Sequence, residues 1–256
     1  MSVSPVTHAM VLAAGLGTRM RPLTLTTPKP LVEVADKALI DWALDGLADA
    51  GVTHAVVNLH HLGDQIKEHL RHRARPAITF LAEDPVLETG GGVQNALPHL
   101  GRGPFFVVNA DGLWIDDEEG EPALKHMAEA WDDAQMDALL LLHDPQAAFG
   151  YDGIGDFTLD PPFDSGGRLA RRQNNDVHAR VFTGVQLLHP RLFAFDPGGA
   201  PGGVYSLNAL YDRARAAGRL FGLTHPGEWH HVGTMDALAK SDAHLRARGF
   251  GEGFGA

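Results

Sequence analysis

Residues 12–30, LAAGLGTRMRPLTLTTPKP, set Gly15 and Gly17 beside three cationic side chains, Arg19, Arg21 and Lys29, where an apolar run ends. Those residue types suit a polyphosphate. Glycine lets the main chain approach a phosphate closely and turn N–H groups toward it, while the cations supply charge that backbone dipoles lack. Arginine grips phosphate oxygens in pairs, and lysine acts as a movable point charge. Two commoner glycine loops do not fit. A dinucleotide-binding G-x-G-x-x-G needs a third glycine where Met20 stands, and the Gly-Lys-Ser/Thr of a Walker loop occurs nowhere in the chain.

Two further groups add chemistry. Asp111 follows directly on FFVVNA, so its carboxylate emerges at a strand end, where it suits a hard divalent cation bridging phosphate oxygens. Glu88, Thr89, Gly90, Gly91 and Gly92 spell ETGGG just before a helical stretch. Backbone N–H groups at a helix N-terminus bind anions and carbonyl edges without a charged side chain. Histidine is a poor guide here. With 15 histidines in 256 residues, adjacent pairs such as His60–His61 and His230–His231 arise by chance, so no zinc site is read from the sequence.

These residues need a frame. The run HAMVL before the loop is short, apolar and rich in strand formers, so the glycine turn lies at the carboxyl end of a first strand, where open α/β sheets bind ligands. Leu39, Ile40, Ala43, Leu44, Leu47 and Ala50 follow helical spacing, and Gly51 closes that helix. Strands are predicted over 54–59 and 78–83 with a short helix over 63–71 between them. A helix opened by Gly90, Gly91 and Gly92 reaches about residue 98, and a fully apolar strand covers 105–108. Alternating βαβ units of this kind imply a mainly parallel, three-layer α/β/α sheet. Beyond Asp111 the pattern loosens. A helix over 121–132, a buried strand over 137–142, a strand over 181–188 and helices over 207–217 and 235–248 are predicted. The Gly-, Asp- and Pro-rich segment 149–172, with a turn at Ser165, Gly166 and Gly167, is of the kind that carries specificity. No repeat or linker splits the chain, which reads as one domain over 1–249 with a flexible tail at 250–256.

Composition narrows the classes of partner. A formal charge of −11 disfavours nucleic acid, whose phosphate backbone demands basic surface. The chain has no cysteine, so disulfides, a thiolate nucleophile and cysteine zinc sites are excluded, in keeping with a reducing cytoplasm. No apolar run reaches membrane-spanning length, and the N-terminus lacks a charged region leading into an apolar one, so a soluble, cytoplasmic protein with no membrane partner is expected.

The string from Leu12 resembles the signature of the nucleoside-triphosphate:sugar-1-phosphate nucleotidyltransferases, L-A-A-G-x-G-T-R-x-R-P-L-T followed by P-K-P, with every fixed position filled. The resemblance implies a Rossmann-like (GT-A-like) fold with a mixed sheet, a nucleotide-binding half over 1–111 and a sugar-phosphate-binding half over 112–249. It implies that Leu12, Ala13, Ala14, Gly15, Gly17, Thr18 and Arg19 wrap the nucleotide and that Lys29 lies by the α-phosphate. Glu88, Thr89, Gly90 and Gly91 read the base, with Asn109 beside the nucleotide. Asp111 matches the metal-binding aspartate of V-x-N-G-D, with Ala110 in place of the glycine. The family's W-x-D-V-G-T-P, whose aspartate is a second metal ligand, reads Trp229-His230-His231-Val232-Gly233-Thr234-Met235 here. His231 therefore either ligates the ion or hydrogen-bonds a phosphate or water while Asp111 holds it. Magnesium prefers oxygen and manganese tolerates the nitrogen better, so Mg²⁺ or Mn²⁺ is expected. On the sugar side the resemblance points to Gly155, Asn174, Gly184 and Asn208. ETGGG is similar to the N-acetylmuramate-1-phosphate uridylyltransferases of peptidoglycan recycling, whereas mannose-1-phosphate guanylyltransferases carry G-T-A-G there. The implied reaction joins a nucleoside triphosphate to a sugar 1-phosphate with release of pyrophosphate, in a monomer or small homo-oligomer. Guanylyl transfer to mannose 1-phosphate, or transfer to another hexose or heptose 1-phosphate, is the alternative substrate reading. Ala110 and His231 motivate an alternative of another class, a non-catalytic regulatory subunit that binds a nucleotide sugar.

Overall fold

Wholly apolar runs become the middle of a sheet covered on both faces, as parallel strands require. A computed structural model describes residues 5–117, 120–159, 166–174, 176, 178–194 and 203–251. In chain order the strands and helices are β1 (His8–Leu12), β2 (Glu33–Val34), β3 (Lys37–Ala38), α1 (Leu39–Asp49), β4 (His54–Leu59), α2 (Gly63–Leu70), β5 (Ala77–Ala82) and α3 (Glu88–Ala96). Then come β6 (Phe105–Asn109), β7 (Gly112–Ile115), α4 (Ala123–Ala130), β8 (Ala138–His143), β9 (Phe157–Leu159), β10 (Gly167–Arg171) and β11 (Val181–Leu188). The last are α5 (Asn208–Ala216), β12 (Leu220–Thr224), β13 (Glu228–His231) and α6 (Met235–Ala247). Among the described residues, no helix is long and apolar enough to cross a membrane.

Among the described residues, nine strands form one sheet in the order β5-β4-β1-β6-β11-β8-β12-β10-β9. The β5-β4-β1-β6 part is parallel, β11 runs antiparallel between β6 and β8, β12 returns parallel to β8, and β10 and β9 complete the edge antiparallel. Successive side chains of a strand point to opposite faces. Ala9, Val11, Val57, Phe106 and Val108 accordingly join α1 in one core cluster, and Met10, Val56, Phe105 and Val107 join α3 and α5 in another. This is the expected three-layer α/β/α arrangement with a mixed, mostly parallel sheet. The connection leaving β1 runs toward β4, and the one leaving β5 crosses back to β6. The carboxyl ends of neighbouring β1 and β6 therefore open a crevice between diverging connections, the ligand position of open α/β sheets.

Two departures from the sequence reading matter for the site. First, α3 begins at Glu88, so Gly90, Gly91 and Gly92 lie inside the helix and do not form a loop before it. Second, the stretch after Asp111 and the stretch through His231 pair as an antiparallel ribbon, β7 with β13, in which Gly112 faces His231 and Trp114 faces Trp229. That register brings residues 111 and 231 together. The ribbon rests on a third apolar cluster, with Met20, Val34, Leu39, Leu113, Val232 and Leu245. Phe250, read as the start of a mobile tail, packs edge-on against Trp42 with ring centres 5.6 Å apart. The rest of that tail from residue 252, and Ser165 of the predicted turn, lie outside the described residues.

Candidate active site

The loop after β1 is folded back on itself. Gly17 takes a left-handed φ of 60°, and its carbonyl accepts a hydrogen bond from the Thr24 hydroxyl at 2.8 Å. A methyl group on Gly17 would lie 2.9 Å from Thr24 Cγ2 and 3.2 Å from Lys29 Cβ, so both the backbone conformation and the packing demand glycine. Met20, which occupies the third-glycine position of a dinucleotide loop, is fully buried in the cluster under the ribbon and anchors the loop. Lys29 is thereby brought beneath the turn.

The loop, β6 and α3 enclose a cavity of about 580 Å³, within the usual range for a small-molecule site. Leu12, Ala13, Ala14, Gly15, Gly17, Thr18, Arg19, Lys29, Glu88, Thr89, Asn109 and Asp111 all line it. Arg21 is exposed and is not among the lining residues. Gly90 and Gly91 are also absent from its wall, which corrects the expectation that their N–H groups face a ligand. Both N–H groups donate to the carbonyl of Tyr205, at 2.8 and 3.2 Å. A methyl group on Gly90 would meet the Tyr205 ring at 2.4 Å, so these glycines seat segment 203–207 against α3.

Inside the cavity Lys29 and Asp111 form an ion pair, with side chains 11% and 33% exposed. His231 lies beside Arg19, with Nε2 3.5 Å from the guanidinium Nη1. Burial, followed by the charges of Arg19 and Lys29, holds this imidazole below its ordinary pKa, against the opposing pull of Asp111 and Asp152. His231 is thus neutral at pH 7 and presents a lone pair to Arg19. Arg19, Lys29, Asp111 and His231 form one charged end of the site.

The opposite end carries residues that the sequence reading missed. Asn58 is the penultimate residue of β4, and its Oδ1 accepts from the Ala13 N–H at 2.7 Å while its Nδ2 donates to Glu83 Oε1 at 2.7 Å. Glu83 follows β5, and its Oε2 accepts from the Leu87 N–H at 2.9 Å. Both side chains are buried, at 3% and 4% exposure, and both line the cavity. Gly92 makes this possible, because a methyl group there would lie 2.9 Å from Glu83 Oε1. The signal was present: Asn58, Glu83 and Asn109 are polar residues closing apolar strands. Three strand spacings of about 4.8 Å carry the site from β5 to β6 across about 14 Å, with an acceptor at one end and cations at the other.

The family model described as Nucleotidyl transferase matches residues 8–157. The chain is 41% identical over 242 residues to an N-acetylmuramate alpha-1-phosphate uridylyltransferase of Caulobacter vibrioides, covering 93% of this chain and 96% of that one. It is 37% identical to the protein of the same name from Neisseria meningitidis serogroup B, covering 92% and 96%. The chain belongs to the nucleotidyltransferase family. Its fold also matches a UDP-glucose pyrophosphorylase solved with UDP-glucose, at TM-score 0.75 and 17% identity, covering 95% of this chain and 99% of that one. The protein is a sugar-1-phosphate nucleotidyltransferase.

In this nucleotidyltransferase the four sugar-side residues do not converge. Asn208 begins α5 and accepts from Arg171 Nη2 at 2.9 Å, and Asn174 lines a separate open surface pocket with Arg171 and Thr158. Gly155, with a φ of 85°, packs against Ala179 and Arg180 in a turn before β9. Gly184 alone reaches the cavity wall indirectly. It lies at an irregularity of β11 with a φ of 86°, and a methyl group there would approach Asn109 Nδ2 to 2.5 Å. Gly184→Ala is expected to lose about 1–3 kcal/mol of stability through backbone strain. Urea unfolding measures it, and an unchanged midpoint would show that residue 184 carries no such strain.

Proposed function

We propose that the protein condenses UTP with N-acetylmuramate 1-phosphate to give the nucleotide sugar and pyrophosphate. The observation that carries the reaction is the meeting of Lys29 and Asp111 at the carboxyl end of β6, beside the glycine loop. Full-length similarity to two uridylyltransferases of that name supports the substrates. The base is assigned to the end with Glu83, Glu88 and Thr89, where the Glu83 carboxylate can accept from a base N–H. The triphosphate lies along Gly15 to Arg19, whose main chain borders open space: a methyl group on Gly15 would meet nothing within 4 Å.

A phosphate oxygen of the sugar phosphate attacks the α-phosphorus, forming a new O–P bond as the bond to the β-phosphate oxygen breaks. Pyrophosphate leaves. The attacking phosphate is already anionic at neutral pH, so no general base is needed, and catalysis consists of positioning and charge neutralisation. Lys29 is assigned to the α-phosphate and the acceptor phosphate. Arg19, steadied by His231, is assigned to the departing pyrophosphate. The donor set fits a hard divalent ion, because Asp111 presents a carboxylate to the cavity and magnesium commonly takes one or two carboxylates together with substrate phosphates. Asp111 would hold Mg²⁺ or Mn²⁺, which when bound neutralises phosphate charge.

Pyrophosphate release with UTP, GTP and a panel of sugar 1-phosphates tests the reaction. UTP with N-acetylmuramate 1-phosphate is expected to give the highest kcat/KM; silence with both Mg²⁺ and Mn²⁺ would instead identify a binding module. His231→Asp gives a sharper view of the ion. The added carboxylate is expected to lower the Mg²⁺ concentration for half-maximal rate on the order of tenfold. An unchanged requirement would place residue 231 out of reach of the metal.

A further inference from the structure

His230 points away from the side of β13 on which His231 meets Arg19. Neighbours in a strand face opposite sides, so Glu228 and His230 share the surface of β13 that lies under α6. Ser241 and His244, three residues apart, share one face of α6. The two faces meet. His230 Nδ1 and Ser241 Oγ are 3.0 Å apart, and Glu228 Oε2 lies 3.2 Å from His230 Nε2 and 3.0 Å from His244 Nε2. Ligand atoms of Glu228, His230 and His244 all fall within 4.8 Å of one another. His230 and Ser241 are wholly buried, and the Phe149 ring stacks on His230 with centres 4.5 Å apart and lies 4.3 Å from the ring of His244. The Phe149 N–H donates to the Trp229 carbonyl at 3.0 Å, and its carbonyl accepts from the His231 N–H at 2.8 Å, which fixes the backbone on both sides of His230.

We infer that Glu228, His230 and His244 form a binding site for a divalent transition metal of the zinc class, separate from the ion assigned to Asp111. A tetrahedral ion with bonds of about 2.0–2.1 Å holds its ligand atoms about 3.3–3.4 Å apart. The two O-to-N separations at Glu228 Oε2 are close to those edges. Two imidazole nitrogens beside one carboxylate make a donor set that zinc takes readily, whereas magnesium prefers an all-oxygen one. The outer partners are in place as well. With an ion in place of the Nε2 proton, the Ser241 hydroxyl, 3.0 Å from Nδ1, would accept the Nδ1 proton of His230 and leave the Nε2 lone pair for the ion, the usual device for orienting a ligand histidine. Arg248 Nη1 holds Glu228 Oε1 at 2.8 Å, which turns Oε2 toward the histidines. An ion here ties β13 to α6 and braces the strand whose other face carries His231. The site does not depend on the reaction proposed above.

Chelator-stripped, full-length protein titrated with Co²⁺ provides the test, because tetrahedral Co²⁺ absorbs visible light far more strongly than octahedral Co²⁺. One tetrahedral Co²⁺ per chain is expected, displaced by Zn²⁺ and retained in Asp111→Asn. Glu228→Gln and His244→Gln, checked for folding by circular dichroism, are expected to weaken binding at least about 100-fold, and Ser241→Ala about tenfold. No tetrahedral spectrum in the wild type, an unchanged spectrum in folded His244→Gln, or its loss in Asp111→Asn would each overturn the site. Nitrogen-15 resonances of the wild-type histidines decide without any variant: Zn²⁺ must shift two Nε2 signals, and no shift overturns the inference.

Discussion

Lys29→Ala is expected to lower kcat by about 10²–10³-fold, the usual cost of removing one preorganised charge contact from a reaction of this kind. Nucleotide KM should move far less, because the loop from Gly15 to Arg19 and the Glu83 end of the cavity stay in place. The lysine is well placed for such an effect. Its side chain is 11% exposed, its Cβ packs under Gly17, and its ammonium group pairs directly with Asp111 inside the cavity. Lys29→Arg should not restore the rate, since a planar guanidinium cannot occupy the place of a compact ammonium. Pyrophosphate release at saturating substrates measures the effect, and a near-wild-type rate would remove Lys29 from the chemistry.

Asp111→Ala is expected to cause a loss of similar size, about 10²–10³-fold, with a different signature. The residual rate should become nearly independent of Mg²⁺, because the carboxylate assigned to the ion is gone. Stability should change little, since a pair with one partner a third exposed contributes roughly 0–1 kcal/mol. A magnesium titration of kcat distinguishes the two variants. If Asp111→Ala kept the wild-type magnesium dependence, the ion would be held elsewhere.

Local signals brought out the charged end of this cavity, and non-local pairings hid the rest. The glycine loop follows β1 and Asp111 follows β6, two strands whose apolar stretches, 9–12 and 105–108, are legible in the sequence, and Lys29 falls within the run that continues from that loop. Asn58 and Glu83 were missed because each looks like an ordinary polar residue closing a strand; only the β5-β4-β1-β6 order sets them along one edge. Gly90 and Gly91 were misread for the opposite reason. Their freedom of conformation is visible in the sequence, but Tyr205, more than 100 residues away, takes up both N–H groups. The same holds for the ribbon of β7 and β13, whose register joins residues 111 and 231 and leaves His230 facing α6. Asn174 and Asn208 carry amides suited to a sugar, yet the fold spreads them over the β9–β10 edge and the start of α5, away from Lys29.

A crystal structure of the protein with UDP-N-acetylmuramate and Mg²⁺ tests the central claim most directly, because one density map locates base, diphosphate and ion together. The uracil is predicted against Glu83 and Thr89, the diphosphate between the glycine loop and Lys29, and the ion on Asp111. A nucleotide sugar bound outside this cavity, or bound within it with Lys29 and Asp111 still paired to each other and touching neither phosphate nor metal, would contradict the account.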